Sequence, residues 1–317
     1  MKLQVHLQRA GPAFIALGAL YVCLAFVDPR FYAADNLRDL MLANIAVLVV
    51  ATGMTLVIVL GEIDISVGAL FAVCSVVCGT FAKLGVPIIL LPFVAIAAGT
   101  VLGAMNGILV SFAKAPSIVV TLATMVAWRE ALRWITNGAW IEYLPNTFQW
   151  FGLGQRRGEV VIILVAVILF GAILWTSRNL SAGRAIYATG SDAEAARLAG
   201  IATNRIVFSV FVLMGALTGI AALLNAVRFS DVPANSGINL ELKAIAAVVV
   251  GGTSITGGRG HLLGTLIGVM LLGSIGPALI FLAVSPSWEK AIQGGIILTA
   301  VLVDAIGSRR GRQVEFA

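Results

Sequence analysis

The sequence predicts an all-α, polytopic bundle of about ten transmembrane helices. Of its 317 residues, 60% are hydrophobic and only 11% are charged, and the mean hydropathy is +1.01. A soluble domain carries about 25% charged residues, because its surface must be wetted. Membrane-spanning strands would alternate with a period of two, and the apolar runs show no such alternation. The spans are therefore predicted to be helices.

Ten uncharged stretches supply the predicted spans, and a crossing helix needs about 20 mostly apolar residues. The shorter stretches are expected to extend past a flanking charge; nine spans, or eight with re-entrant pieces, is the alternative count. The stretches are 10–27, 40–61, 65–82, 84–113, 115–128, 160–177, 206–227, 244–258, 260–288 and 291–303. No A-x-A-like cleavage site closes the first stretch, so it is predicted to be a retained helix.

Two glycine-rich interruptions predict an internal repeat with broken segments near 61–68 and 251–260. A shift of 190 residues aligns IVLGEIDISVG (58–68) with VVVGGTSITGG (248–258). Each is predicted to be a tight break between membrane segments, because glycine accepts a left-handed backbone, and paired breaks of this kind mark repeats in transporters. The residues assigned to these gate or turn motifs are Gly61, Glu62, Asp64, Ser66, Gly68, Gly251, Gly252, Gly257 and Gly258.

The carboxylates Glu62 and Asp64 are exceptional in so apolar a chain. Asp64 or Ser66 could cap the next helix by accepting free backbone N–H groups. A role in gating or conformational coupling is the second interpretation. Proton or cation transport is a minor one, because the second copy has Gly252 and Ser254 at the aligned positions.

A polar insert at 177–206 is predicted to hold one short helix, SDAEAARLAG. Ser191 is predicted as its N-cap, with Glu194 three residues on completing a capping box, and Gly200 fits the helix-ending position. Its alanines offer a smooth surface, on which either the membrane helix ends or a soluble partner could pack. The candidate coupling residues are Ser191, Asp192, Glu194, Ala195, Ala196, Arg197 and Gly200.

The chain carries no sign of catalytic or metal chemistry. None of its five lysines follows a glycine, which excludes the G-x-x-x-x-G-K-[ST] phosphate loop, and two histidines allow no metal cluster or triad. The cysteines lie in apolar runs and are predicted to be packing residues. Basic residues are scattered among loops, so the net charge of +6 indicates membrane topology rather than nucleic-acid binding.

Three segments together resemble the permeases of sugar-importing ABC systems, the group of the ribose, xylose, arabinose, rhamnose and autoinducer-2 importers. LGEIDISVG resembles that family's G-G-I-D-L-S-V-G motif, YATGSDAEAARLAGI its cytoplasmic coupling segment, and AIAAVVVGGTSITGGRGHLLGTLIG its C-terminal signature. The matches span residues 40–305. Glu62 departs from the family, which commonly has a second glycine there, and this puts in doubt any need for glycine at that position.

The resemblance implies a single permease domain over 1–317, with 177–206 as its coupling loop, in the bacterial inner membrane. It implies translocation of a small sugar (a pentose, a deoxyhexose or an autoinducer-2-like molecule) from a periplasmic binding protein to the cytoplasm. The implied partners are cytoplasmic ATPase subunits, which bind the ATP, and a second permease subunit, either identical or related. No catalytic residue and no cofactor of its own is implied.

Two other functions stay open at this point. The chain could be a self-sufficient secondary transporter, coupled to protons through Glu62 or Asp64, or a permease for branched-chain amino acids. For a sugar path, the polar or aromatic candidates on apolar helices are Asn44, Asn106, Thr121, Thr124 and Trp128, since amides suit hydroxyls and aromatic faces suit C–H groups. Arg129, Glu130 and Arg133 are interpreted as a solvated flank at the outer end of a helix. Both termini are predicted to be cytoplasmic.

Overall fold

The computed structural model describes residues 2–285, 287–299 and 302, with side chains from residue 11 onward. The described part is helical and contains no β-strand; Ile141 and Val232 form an isolated antiparallel bridge. The predicted last span, 291–303, is described only in part, and the arginine-rich tail lies outside the described residues.

Eleven α-helices and a further helical stretch at 288–299 make up the described fold, which confirms the predicted helical bundle. The helices are α1 (Lys2–Val27), α2 (Ala34–Val59), α3 (Val67–Lys83), α4 (Leu91–Ser111), α5 (Ser117–Thr136), α6 (Gln155–Asn179), α7 (Ser181–Ser191), α8 (Ala193–Leu198), α9 (Thr203–Ala226), α10 (Leu240–Val250) and α11 (Leu262–Phe281). Short 3₁₀ turns lie at Pro29–Tyr32, Ile88–Leu90 and Gln149–Gly152.

Five helical segments of the described chain are long and apolar enough to cross a membrane: Ala34–Val59, Ile88–Ser111, Gln155–Asn179, Thr203–Ala226 and Leu262–Phe281. Two shorter apolar helices cover Gly11–Val27 and Val67–Lys83. With α5, α10 and 288–299, these helices make ten segments, roughly the predicted number; α7 and α8 are short additions between α6 and α9.

The central helix of the bundle is α2. Its second half, from Val49 to Val59, is buried on every side, as expected for a helix that is hydrophobic around its whole circumference. By contrast, α6 buries only Gly158, Glu159, Ile162 and Ala166. Most of the α6 surface is therefore free to face lipid.

Helices α4 and α9 pack along a seam of glycines. A Cβ added to Gly99 would overlap the Gly215 carbonyl oxygen, and one on Gly103 would overlap that of Phe211. A Cβ on Gly219 would likewise overlap the Ala95 carbonyl oxygen. Small residues at four-residue spacing allow such backbone contact between membrane helices. The seam fixes α4 and α9 as a close pair beside α2 and α3.

Candidate functional site: a junction between two helix breaks and a short capped helix

Helix α8 begins and ends through its own sequence. The Asp192 carboxylate accepts hydrogen bonds from the backbone N–H groups of Glu194 and Ala195, each 2.9 Å long. Arg197 bonds the Glu194 carboxylate at 2.6 Å, and Gly200 has φ +85° just beyond the last turn. The predicted helix and its glycine stop are confirmed.

The predicted N-cap was wrong by one residue. Ser191 is the last residue of α7, and the extended backbone of Asp192 (φ −159°, ψ 103°) separates α7 from α8. Aspartate and serine are about equally good N-caps, so the preceding helix decides between them. Since α7 continues through Ser191, the cap falls to Asp192.

Ala196 does not belong to an outward surface of α8. It is 5% exposed and packs back onto the bundle, and its carbonyl accepts a hydrogen bond from the Ile201 backbone N–H. The outward apolar residues are Ala193, Ala195, Ala199 and Leu198, whose side chain is 81% exposed. Leu198 went unnoticed in the sequence, although an apolar residue on a short polar insert is a signal of contact.

The first break, between α2 and α3, is anchored by α4 and α5. Gly61 takes φ +80° after the end of α2. The Asp64 carboxylate accepts hydrogen bonds from the Ser66 hydroxyl (2.6 Å) and backbone N–H (2.9 Å). Asn106 on α4 donates to the Ser66 hydroxyl at 2.8 Å. Asp64 thus orders the turn before α3 without bonding the N–H groups of α3 itself.

One hydrogen bond and one longer polar contact from α5 reach the backbone of the same break, because the Thr121 hydroxyl donates to the Ser117 carbonyl oxygen at 2.8 Å. The Ile63 backbone N–H donates to the Ser117 hydroxyl (3.2 Å), and the Thr121 hydroxyl lies 3.3 Å from the Ile63 carbonyl oxygen. Asn106 and Thr121, predicted as path residues, are both fully buried. Asn106 contacts the break through Ser66, and a path role for both residues stays a prediction.

The acids of the first break occupy different surroundings. Complete burial raises the pKa of Asp64 to about 6, against the lowering effect of its bonds to Ser66. Glu62 is half-buried, and desolvation also raises its pKa, partly offset by Ser117 and Lys114. A cavity of about 280 Å³ beside Glu62 is also lined by Lys114, Thr189 and Asn204.

The second break, between α10 and α11, repeats the first with a shift of one residue. Helix α2 ends at Val59 with a left-handed Gly61, and α10 ends at Val250 with a left-handed Gly252 (φ +91°). The structural offset at these helix ends is thus 191 residues, against 190 in the sequence alignment. Gly68 lies inside α3, whereas Gly258 remains in the break.

Helices α6, α7 and α11 close around the second break. The Tyr187 hydroxyl on α7 donates to the Gly260 carbonyl oxygen at 2.9 Å. Nδ1 of His261 accepts the Leu263 backbone N–H and so caps α11, while its Nε2 lies 2.5 Å from the Arg178 guanidinium at the end of α6.

The two breaks meet at the end of α7, in a cluster that we call the glycine junction: Gly61, Gly190, Gly257 and Gly258. The Gly258 backbone N–H donates to the Val59 carbonyl oxygen at 2.8 Å. A Cβ on Gly190 would overlap that same oxygen, and one on Gly257 would lie 2.9 Å from the Gly190 carbonyl oxygen and the Gly61 nitrogen. Gly190 is two residues before the Asp192 cap, so α8 is joined directly to both breaks.

The remaining path candidates do not form a cluster with the junction. Asn44 packs against Gly273 on α11 and donates to the Leu40 carbonyl oxygen at 2.8 Å. Thr124 bonds the Thr121 carbonyl oxygen within α5. The Trp128 ring packs on the core, and its Nε1 has no hydrogen-bond partner among the described residues. A path role for these residues stays a prediction.

An apolar helical bundle with paired glycine breaks, both held by a short polar insert, is the architecture expected of a membrane transport subunit. The chain belongs to the family described as the permease component of branched-chain amino acid transport systems, which it matches over residues 36–301. It is accordingly a multi-pass inner-membrane permease subunit of the ABC importer type, as its sequence predicted.

Among individual proteins, the chain is similar to two kinds of permease. It is 34% identical over 296 residues to the ribose import permease protein RbsC of Escherichia coli K12, covering 92% of both chains. The RbsC of Haemophilus influenzae gives the same identity and coverage. The autoinducer 2 import system permease protein LsrC of Yersinia pseudotuberculosis is 32% identical, over 93% of this chain and 84% of its own. No solved structure matches the chain.

Proposed function

We propose that this chain forms the membrane path of an ATP-driven importer for a small sugar such as a pentose or an autoinducer-2-like molecule. The observation that carries the mechanism is the glycine junction, in which Gly190 touches Val59 and Gly257 just before α8 begins. A displacement of α8 is transmitted to the two breaks through direct backbone contacts, with no flexible side chain between them. The two breaks then move together and change access to the path.

In this proposal, α8 is the surface on which a cytoplasmic ATPase subunit acts. All of its residues except Ala196 are exposed, and they include the apolar Leu198 beside the charged Glu194 and Arg197. Such a mixed surface is typical of protein contacts that assemble and separate. The chain itself needs no nucleotide site, because the ATP is bound by the partner.

The α8 end of the bundle is proposed to face the cytoplasm, with both termini on that side. Lys114 donates a hydrogen bond to Asn204 at this end, and Arg178 contacts His261 there. Arg197 lies on α8 itself. Basic residues in short loops favour the cytoplasmic side, and the insert at 177–206 carries four arginines. The opposite end then meets the sugar-binding protein, and a second permease subunit completes the path.

Reconstitution tests the proposal directly. Proteoliposomes with the chain, its ATPase subunit and a ribose-loaded binding protein are expected to accumulate ribose on ATP addition, whereas omission of any one component abolishes accumulation. Excess leucine should not compete, which separates a sugar path from one for branched-chain amino acids. Uptake by the chain alone under an imposed pH gradient would contradict the proposal and favour proton coupling through Glu62 or Asp64.

A further inference from the structure

A charged cleft lies away from the glycine junction, between α5 and the segment that leads into α10. Its volume is about 220 Å³, and its lining combines charged, amide and apolar side chains: Met125, Val126, Arg129, Glu130, Ile238, Asn239 and Glu241. The sequence predicted Arg129 to be part of a solvated flank. The structure instead half-buries Arg129, whose Nη1 donates to the Ser236 carbonyl oxygen at 2.9 Å.

The cleft lies beside the second half of α5 and the first turn of α10. Arg129 follows Ser117, the first residue of α5, by twelve positions, which at 1.5 Å per residue is about 18 Å. Glu241 precedes Gly251 by ten positions on α10, or about 15 Å. Because Ser117 contacts the first break and Gly251 opens the second, both charges lie at a similar height above the junction. A charged side chain on a membrane helix faces protein or a water-filled cavity rather than lipid.

The two opposite charges line one cleft without meeting. Glu241 is 9% exposed, and its Oε2 has no hydrogen-bond partner among the described residues. That oxygen lies over Gly68, where a Cβ would overlap it. A guanidinium carries five N–H donors, and the one described hydrogen bond of Arg129 uses a single donor. A buried carboxylate oxygen left without a partner costs free energy that a donor entering the cleft would recover.

We propose that this cleft is a subsite for a neutral, polyhydroxylated solute on the translocation path, an inference that rests on the proposed function. A hydroxyl group can donate to Glu241 and accept from Arg129, so one sugar face satisfies both groups. Met125, Val126 and Ile238 offer apolar surface to the C–H face. Glu130 is ion-paired with Arg133 at 3.6 Å, so the charges of Arg129 and Glu241 balance each other, which suits a neutral solute.

The experiment uses the complete importer in proteoliposomes, at saturating ribose-loaded binding protein. Glu241→Gln and Arg129→Gln are each expected to lower ribose uptake at least tenfold, while ATP hydrolysis stimulated by the loaded binding protein stays within twofold of wild type. Lys243→Gln is the matched control, because Lys243 is an exposed charge two residues along α10 outside the cleft. Its uptake should be unchanged.

A purely structural role gives a different pattern. Loss of uptake together with loss of stimulated ATP hydrolysis and a lower melting temperature would overturn the subsite. Should the glutamine variants fail to assemble, Glu241→Asp and Arg129→Lys keep the charges and move the donors and acceptors. The subsite predicts that the ratio of ribose uptake to 2-deoxyribose uptake is lower in these variants than in wild type. An unchanged ratio would contradict it. If wild type moves ribose and every variant matches it, the subsite alone is wrong; if wild type moves none, the proposed function fails and the subsite with it.

Discussion

At the scale of single residues, Gly190 is the glycine of the described chain at which an added Cβ would meet the closest atom. A Cβ there would overlap the Val59 carbonyl oxygen and approach the Gly258 nitrogen to 3.0 Å. Both obstacles are backbone atoms, so neither can rotate away. The close approach of the two breaks to α7 therefore depends on this glycine.

Gly190→Ala is expected to destabilise the purified permease by about 1–3 kcal/mol, the range for overpacking a close contact, and to uncouple uptake from ATP hydrolysis. The melting temperature in detergent and the ratio of sugar moved to ATP hydrolysed measure the two effects. Gly171→Ala on α6 is the control, since a Cβ at Gly171 meets nothing within 4 Å. Equal melting temperatures for the two variants would contradict the contact.

Asp64 gives a prediction on pH. Burial raises its pKa to about 6 from an ordinary value near 4, so the ionised form disfavours the folded state. This penalty is present above pH 6 and disappears as the pH falls below 4. At about 1.4 kcal/mol per pKa unit, wild type should gain about 2 kcal/mol relative to Asp64→Asn between pH 7 and pH 4. If the melting temperatures of the two proteins changed by the same amount across this pH interval, the prediction would be wrong.

At the scale of elements, α8 presents one large apolar side chain outward, Leu198, while Ala196 is buried. Leu198→Asp is expected to weaken ATPase binding to purified permease at least tenfold in a pull-down titration, without changing the melting temperature. Leu84→Asp, at a residue 74% exposed beyond the end of α3, is the control and should bind the ATPase normally. Unchanged binding of the Leu198 variant would exclude α8 as the contact.

The seam between α4 and α9 is the second element with a clear prediction. Gly103→Val would force a side chain onto the Phe211 carbonyl oxygen and the backbone of Gly215. We expect the helices to separate and the yield of folded permease in detergent to fall severely. Gly18→Val on α1, where a Cβ meets nothing within 4 Å, controls for the larger side chain. Normal size-exclusion profiles for both would contradict the seam.

Short sequence motifs predicted the features of the fold that depend on neighbouring residues alone. The two glycine breaks, the short helix and its stop at Gly200 follow from glycine conformations and capping rules, and the structure contains all of them. The features that the sequence did not predict depend on tertiary contacts. Ser191 belongs to α7, Ala196 is buried, and Arg129 donates a hydrogen bond to the Ser236 backbone. The residue pattern within one segment does not indicate which distant part of the backbone will lie beside that segment.

At the scale of the whole molecule, the two halves of the predicted repeat are joined at the glycine junction, and α2 also packs against α10 and α11. The junction ties α2 to the α10–α11 break, while the charged cleft opens about 15–18 Å higher, at an estimated 1.5 Å per helical residue. The part that receives force and the part that would meet solute are thus distinct. Junction variants should alter the sugar-to-ATP ratio, and cleft variants should alter which sugar passes.

The hydrogen bond from Gly258 to Val59 has a consequence for timing. That bond and the Gly190 contacts hold both breaks against the same backbone segment. Neither break can therefore move without the other. We therefore expect the two halves of one subunit to change conformation together. A permease trapped in the middle of its transport cycle should show both halves displaced or neither.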